Sequence, residues 1–293
     1  MADEVSQARL EGRLAELAGT VTDPARSLAE PGSIAWMVGS ELVLHLAGPR
    51  ALLMQFAHPL VAQGVADHSR FREDLLGRAR RTFGAVYRMM FAPAEEAFAI
   101  ARRVHAGHAR VTGKLPAAAG VHAAGAPYAA NDPRLLAWVW ATLVDSGLWA
   151  YERWVAPLAP GDRERWYAEQ LRLSALFGLR SNDLPAHHRG FWDWMDGWLE
   201  GRELAVSAAG RELATVFLAG AGVPGLGRLF TLLAAGTLPP RLREEFGLAW
   251  DPLTRARFAA FSAAVSAAVA VTPRPLRRLP LAWRGTVALA LAG

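Results

Sequence analysis

The chain has no cysteine and a single lysine, Lys114, among its 293 residues. Without thiols there can be no disulfide, no thiolate nucleophile, no Cys-ligated zinc and no thiolate-held iron, so any metal must be bound by His, carboxylate or Tyr. Long apolar runs are missing too. The nearest approaches, residues 258–271 and 285–293, are alanine-rich and fall short of the ~20 apolar residues a membrane-spanning helix needs. The opening M-A-D-E-V-S-Q-A-R-L-E-G-R is mixed in charge and carries no secretory h-region, so a soluble cytoplasmic protein is the expectation. No stretch alternates with period two for long enough to argue a sheet. Several catalytic signatures are absent as well: H-E-x-x-H, the paired E-x-x-H of di-iron carboxylate bundles, and G-x-S-x-G. Lys114 follows a G-x-x-x-x-x-G whose spacing is wrong for a phosphate-binding loop.

What is present is an ordinary globular balance, 52% hydrophobic and 20% charged, on a chain long enough to bury a sizeable core. The net charge of +5 rests on arginines interleaved with acids over nearly every segment. A nucleic-acid binder would gather them on one face, so nucleic acid is not an expected partner. Helical spacing recurs throughout. Leu10, Leu14 and Leu17 mark a short amphipathic helix at 8–19, and Ile34 to Leu46 reads as one apolar helix ended by Gly48-Pro49. From Arg50 the stripe Leu52, Leu53, Phe56, Leu60, Val61 continues through Pro59, which predicts a helix kinked beside His58. Further helices are expected over 77–91, 93–112, 135–155 and up to Phe177, then in a tryptophan-rich segment with Trp192, Trp194 and Trp198. The final third adds four or five more between its prolines. The fold class is all-α: one large helical domain over 30–293 behind an N-terminal helical extension, 1–29.

Chemistry-bearing residues gather in one stretch. His45, His58, His68, His105 and His108 are five of the eight histidines, and the helix at 77–91 stacks Arg78 and Thr82 four residues apart on one face. His108 continues the apolar stripe Ile100, Val104, Val111, which suits either a satisfied core histidine or a ligand. His58 and His68 bracket the Pro59 segment; they either serve the local backbone, as partner to a freed carbonyl and as a cap, or border a pocket and move protons. Asp67 is the nearest acid, with a cap as its simplest job. Imidazole and guanidinium groups pointing into an apolar, helix-walled pocket are how a protein holds a flat, anionic, metal-centred cofactor such as haem. Residues 220–225, G-A-G-V-P-G, match G-x-G-x-x-G with Glu244-Glu245 about twenty residues on, but no strand reading accompanies them and Pro224 suits a helix start, so a helix break is expected there and not a dinucleotide site.

The pieces A-H-P-L-V-A-Q-G-V-A-D-H-S at 57–69, F-R-E-D at 71–74, G-R-A-R-R-T at 77–82, H-A-R-V-T-G at 108–113 and Y-A-A-N-D-P at 128–133 resemble, in this order, the domain shared by latex-clearing protein (rubber oxygenase) and MpaB-type oxygenases. L-A-W-V-W-A-T-L-V-D-S at 136–146 and T-L-P-P-R-L-R-E-E-F-G-L-A-W at 237–250 extend the resemblance over roughly residues 30–285. It implies a partly globin-like helical fold, haem b held by one proximal histidine at His108, and Arg78 and Thr82 beside it. It also implies O2 activation at ferrous iron and oxidation of an unsaturated or lipophilic substrate, with an electron donor it does not identify. The candidate site is therefore His108 as metal ligand, with Arg78, Thr82 and His58 around the cofactor. Arg78, Thr82 and His68 are the candidate catalytic set. Two departures stand out. Arg81 occupies a position that is lysine in some rubber oxygenases, and a guanidinium is a poor iron ligand. Val61, Ala62 and Gln63 stand where those enzymes carry a glutamate base. The alternative reading is a helical protein that binds haem or a lipophilic ligand without turnover.

Overall fold

Proline, glycine and short polar side chains cut the chain into helices, and most helix starts show why. In the computed structural model, which describes residues 4–71 and 73–282, α1 (Gln7–Ala18) begins at Ser6, whose hydroxyl accepts from Arg9 N–H. Asp74, Asp132, Ser207 and Asp251 do the same for α5 (Leu75–Phe91), α7 (Pro133–Trp154), α10 (Ala208–Leu218) and α13 (Pro252–Val271). The apolar stretch 285–293 and Arg72 lie outside the described residues.

Two predicted helices are each divided. The segment from Ile34 forms α2 (Ile34–Gly39) and then, after Ser40 and Glu41, a 3₁₀ turn Leu42–Ala47. The expected kinked helix is two helices, α3 (Gly48–Phe56) and α4 (Pro59–His68), with His58 extended between them. Pro59 sits at the first position of α4, where its missing N–H is harmless, and His58 Nδ1 accepts from Leu60 N–H at 3.3 Å. His58 therefore caps a helix instead of bonding a freed carbonyl. After α6 (Ala94–His108), the Gly/Ala/Pro loop contains a hairpin of β1 (Thr112–Lys114) and β2 (Pro127–Ala129), antiparallel with Gly113 opposite Tyr128. Three residues per strand are too few to show alternation, and the all-α class stands. G-A-G-V-P-G is the predicted helix break: a turn with Ala221 left-handed, ahead of α11 (Leu226–Thr237).

The body is organised around α7, whose buried face runs from Leu135 to Trp154. Trp138 donates its indole N–H to Met54 O at 3.2 Å, Gln55 donates to Thr142 Oγ1 at 3.0 Å, and Trp154 donates to Ser262 Oγ of α13 at 2.9 Å. α8 (Pro160–Leu173) and α9 (His188–Glu200) complete the aromatic side of the core, with Trp138 stacked on Trp198 at 5.1 Å. α10 crosses the end of α3 so closely that a Cβ at Gly210 would lie 2.5 Å from Phe56 O. α12 (Pro240–Glu245) holds Arg241, which donates to the carbonyls of Leu199, Gly201 and Leu204 and so fastens the loop after α9. α1 buries Leu10, Leu14 and Leu17 in the same main core.

Beneath these contacts lies one buried ion pair. Arg50 Nε and Nη2 donate to Asp145 Oδ2 at 2.9 and 2.6 Å, and Nη1 donates to Thr237 O, so a single guanidinium joins α3, α7 and α11. Removing one partner leaves an uncompensated charge in the core, which costs about 3–5 kcal/mol, whereas an apolar pair of similar volume is close to neutral. Asp145→Ala is therefore expected to lower unfolding stability by about 3–5 kcal/mol in urea denaturation. Arg50→Met combined with Asp145→Leu should recover most of that loss.

Candidate functional site

α5 is loosely seated. Of its seventeen residues only Leu75, Met89 and Phe91 are buried, while Thr82 is exposed and Phe83, Val86 and Tyr87 are half-buried. Between this helix and the body runs a narrow cleft of about 150 Å3. Thr82, Phe83, Val86, Tyr87 and Met90 line one side; Ala51, Trp140, Val144, Gln170 and Phe177 are among those opposite. The lining contains no Asp, Glu, His, Lys or Arg. Its polar groups include Ser146, whose hydroxyl is buried without a hydrogen-bond partner.

One turn before Thr82, Arg78 donates to Ser69 Oγ and lies over the Phe71 ring, 5.4 Å from its centroid. No carboxylate among the described residues pairs with it. Burial pulls its pKa down, helped by the charge of Arg81, but a guanidinium stays protonated regardless. The side chain is thus a half-buried cation with no acid to balance it. Beside it stands His108, the last residue of α6, half-buried and with neither ring nitrogen in a hydrogen bond among the described residues. Burial lowers the His108 pKa, and the nearby charges of His105 and Arg78 lower it further, so the imidazole is neutral near pH 7. Neutral imidazole is the form that binds metal. His105 is committed elsewhere, its Nε2 2.6 Å from Val5 O.

The other histidines are engaged in contacts of their own. His68 is exposed, with Nε2 3.0 Å from Thr112 O and 3.2 Å from Tyr128 Oη, while Tyr128 donates to Asp67 Oδ2 at 2.5 Å. This network ties the end of α4 to the hairpin. Asp67 is thus bound by Tyr128 and by Gln63, and is not a helix cap. His45 stacks at a tilt against Phe83 and Tyr87, 5.3 and 5.2 Å away. His58 is only 1% exposed and does not line the cleft. Its ring lies 5.2 Å from His122 and 5.6 Å from Trp198, and burial, with the charges of His122 and Arg134, holds its pKa down at about 3. The structure therefore brings together Arg78, Thr82 and His108 and leaves His58 and His68 in separate surroundings. His122 and Glu203, which meet His58, carry no sequence signal: one is in a Gly/Ala loop and the other follows α9, so only folding makes them neighbours.

No curated protein and no solved structure matches the chain. The family model described as ER-bound oxygenase mpaB/B'/rubber oxygenase, catalytic domain, does match, over residues 35–267, from α2 into α13. That span contains the cleft, the unpaired Arg78, the neutral His108 and the α7 core that supports them, and covers most of the sequence. The chain belongs to the mpaB/rubber oxygenase catalytic-domain family.

Proposed function

We propose that this protein is a haem b-dependent oxygenase that acts with O2 on an unsaturated or otherwise lipophilic organic substrate, drawing electrons from a donor the chain does not specify. The observation that carries the reading is Arg78: among the described residues it is a half-buried guanidinium with no carboxylate partner, one helical turn from an apolar cleft and next to a neutral His108 whose ring makes no hydrogen bond. Haem b brings a counter-charge and a ligand demand that suit both groups, since its propionates pair with arginine and its iron takes a neutral imidazole. When bound, haem b supplies a ferrous iron that activates O2.

His108 would hold the iron, and Arg78 would neutralise a propionate or offer a hydrogen bond on the side where O2 is used. Thr82, whose hydroxyl is exposed at the cleft, would donate a hydrogen bond there. The apolar lining excludes water and favours a hydrocarbon chain over a polar substrate. At about 150 Å3 the cleft is smaller than the roughly 300–1,000 Å3 usual for ligand pockets, so one wall must give way. α5 is the wall to move, because so little of it is buried, whereas Trp140 and Val144 opposite are fixed in the α7 core. His58 and His68, expected from the sequence to border the pocket, would act at most at its periphery.

A second reading has one observation in its favour. No carboxylate or histidine lines the cleft, and burial pushes the pKa of its one ionisable side chain, Tyr87, upward, which suits a carrier of haem or of a lipophilic ligand without turnover. Oxygen uptake separates the two. The ferrous protein with a long-chain alkene should consume O2 if it is an oxygenase, and show no alkene-dependent uptake if it is a carrier.

Two variants test the ligand set. The purified protein reconstituted with haem b should show a Soret band that His108→Ala abolishes or shifts. A wild-type protein with no Soret band, or a His108→Ala variant that keeps haem as tightly, would overturn the assignment. Arg78→Gln should weaken haem affinity by about 1.5–3 kcal/mol, roughly 10- to 150-fold, the range for hydrogen bonds to a charged partner. Thermal unfolding of the haem-free variant should stay close to wild type.

A further inference from the structure

The polar cluster around His58 is unused by the reading above and is built from three segments far apart in sequence. His58 stands at the start of α4, His122 in the hairpin loop, and Glu203 in the loop after α9. One ligand nitrogen or oxygen from each lies within 4.8 Å of the other two. We propose that His58, His122 and Glu203 form a non-haem site for a divalent transition-metal ion of the zinc type, three-coordinate from the protein and open at a fourth position.

The geometry favours a cation over a plain hydrogen-bonded cluster. His122 Nε2 lies 3.4 Å from Glu203 Oε2 yet is buried and makes no hydrogen bond, so the ring faces the carboxylate without donating to it. Leaving such a nitrogen unpaired costs about 1–3 kcal/mol, which an ion between the two groups would remove. The 3.4 Å between His122 Nε2 and Glu203 Oε2 is near the spacing of two ligands on one ion. Ligands about 2.0–2.1 Å from a tetrahedral zinc stand about 3.3 Å apart, whereas adjacent ligands of an octahedral ion at the same bond length stand about 3.0 Å apart. No pair of ligand atoms is more than 4.8 Å apart, so the widest has to close by at most about 1.5 Å, a side-chain adjustment. His58 would ligate through Nε2, its Nδ1 taking the proton and giving up the long 3.3 Å contact with Leu60 N–H.

The backbone holds these residues in place. Val121 N–H donates to Arg202 O at 3.2 Å and Ala205 N–H donates to Ala57 O at 2.9 Å, so both loops are hydrogen-bonded immediately beside the ligands. Gly120 makes the approach possible: its φ is +59°, and a Cβ there would fall 2.4 Å from Arg202 O. Arg134 donates to Glu203 Oε1 at 3.0 Å, which orients the carboxylate and leaves Oε2 to face His122. Glu203 also lines an open pocket of about 350 Å3 with Arg134, Trp194 and Trp198, through which water or a small anion can reach the fourth position. The combination of His₂Glu with an open position is the ligand set of catalytic zinc.

The test uses the full chain, stripped of metal by a chelator and titrated with Co2+, whose visible ligand-field spectrum reports four-coordinate binding, then with Zn2+ in competition. One equivalent should bind with a tetrahedral spectrum that Zn2+ displaces. His122→Ala and Glu203→Gln, chosen because neither side chain caps a helix, should each weaken Co2+ binding by about 100-fold or more, with the far-ultraviolet circular dichroism spectrum unchanged. His108→Ala should bind Co2+ as wild type does, so failure here is distinguishable from failure of the haem assignment. No binding by the wild-type protein, or binding that survives in either cluster variant, as it would if the exposed His187 captured the ion, overturns the proposal.

Discussion

The structure depends on a charge taken out of water. Arg50 and Asp145 are 6% and 3% exposed, and their contact joins the three helices that meet behind the cleft. Burial pushes the Asp145 carboxyl up, and the guanidinium opposes that push. Trp149 covers the cation from one side at 5.8 Å. An apolar pair could fill the same space at little cost, but it would not choose which turn of α3 meets which turn of α7. The ion pair ties Arg50 of α3 to Asp145 of α7, and their sequence neighbours Ala51 and Val144 line the fixed wall of the cleft.

The opposite wall is held differently. α5 has a side-chain cap, Asp74 accepting from Gly77 N–H at 2.9 Å, and an exposed ion pair from Arg81 to the same residue, but few buried apolar contacts. Exposed ion pairs contribute little to stability, so α5 is held mainly by Leu75, Met89 and Phe91 and by its packing on α6, and is the less firmly anchored wall. A rigid wall and a yielding wall are what a site for a large planar group and a long hydrocarbon would need, and they suit the oxygenase family to which the chain belongs. Charge is segregated in the same way. The cleft lining has no ionisable side chain other than Tyr87, Arg78 waits near its edge, and the buried His58 and the half-buried His122 and Glu203 lie apart from the lining.

Much of this was legible in the sequence, and the places where it was not have physical causes. The stripes Leu10, Leu14, Leu17 and Leu52, Leu53, Phe56 mark helices because a 3.6-residue period has one meaning in a half-buried segment. Arg78 and Thr82 share a face for the same reason. Where a helix stops is less visible. Pro59 fits both a kinked helix and the first turn of a new one, and His58 decides between them only through a hydrogen bond to Leu60 N–H that spacing does not reveal. The β1–β2 hairpin escaped notice because its Gly113–Tyr128 pairing is made between residues fifteen apart with no alternating pattern on either side.

The sequence by itself determined an all-helical protein, the face on which Arg78 and Thr82 stand, and, through ordered motifs, membership of an oxygenase family, because periodicity and motif order are one-dimensional properties. Only the tertiary structure decided which side chains lack partners. Among the described residues Arg78 has no carboxylate partner, and His122 Nε2 faces Glu203 Oε2 at 3.4 Å without a hydrogen bond; a polar group's balance depends on every segment packed around it. The encounter of His58, His122 and Glu203 is of the same kind, since it needs a helix start, a hairpin loop and an interhelical loop to converge, and nothing local to any of them records the other two.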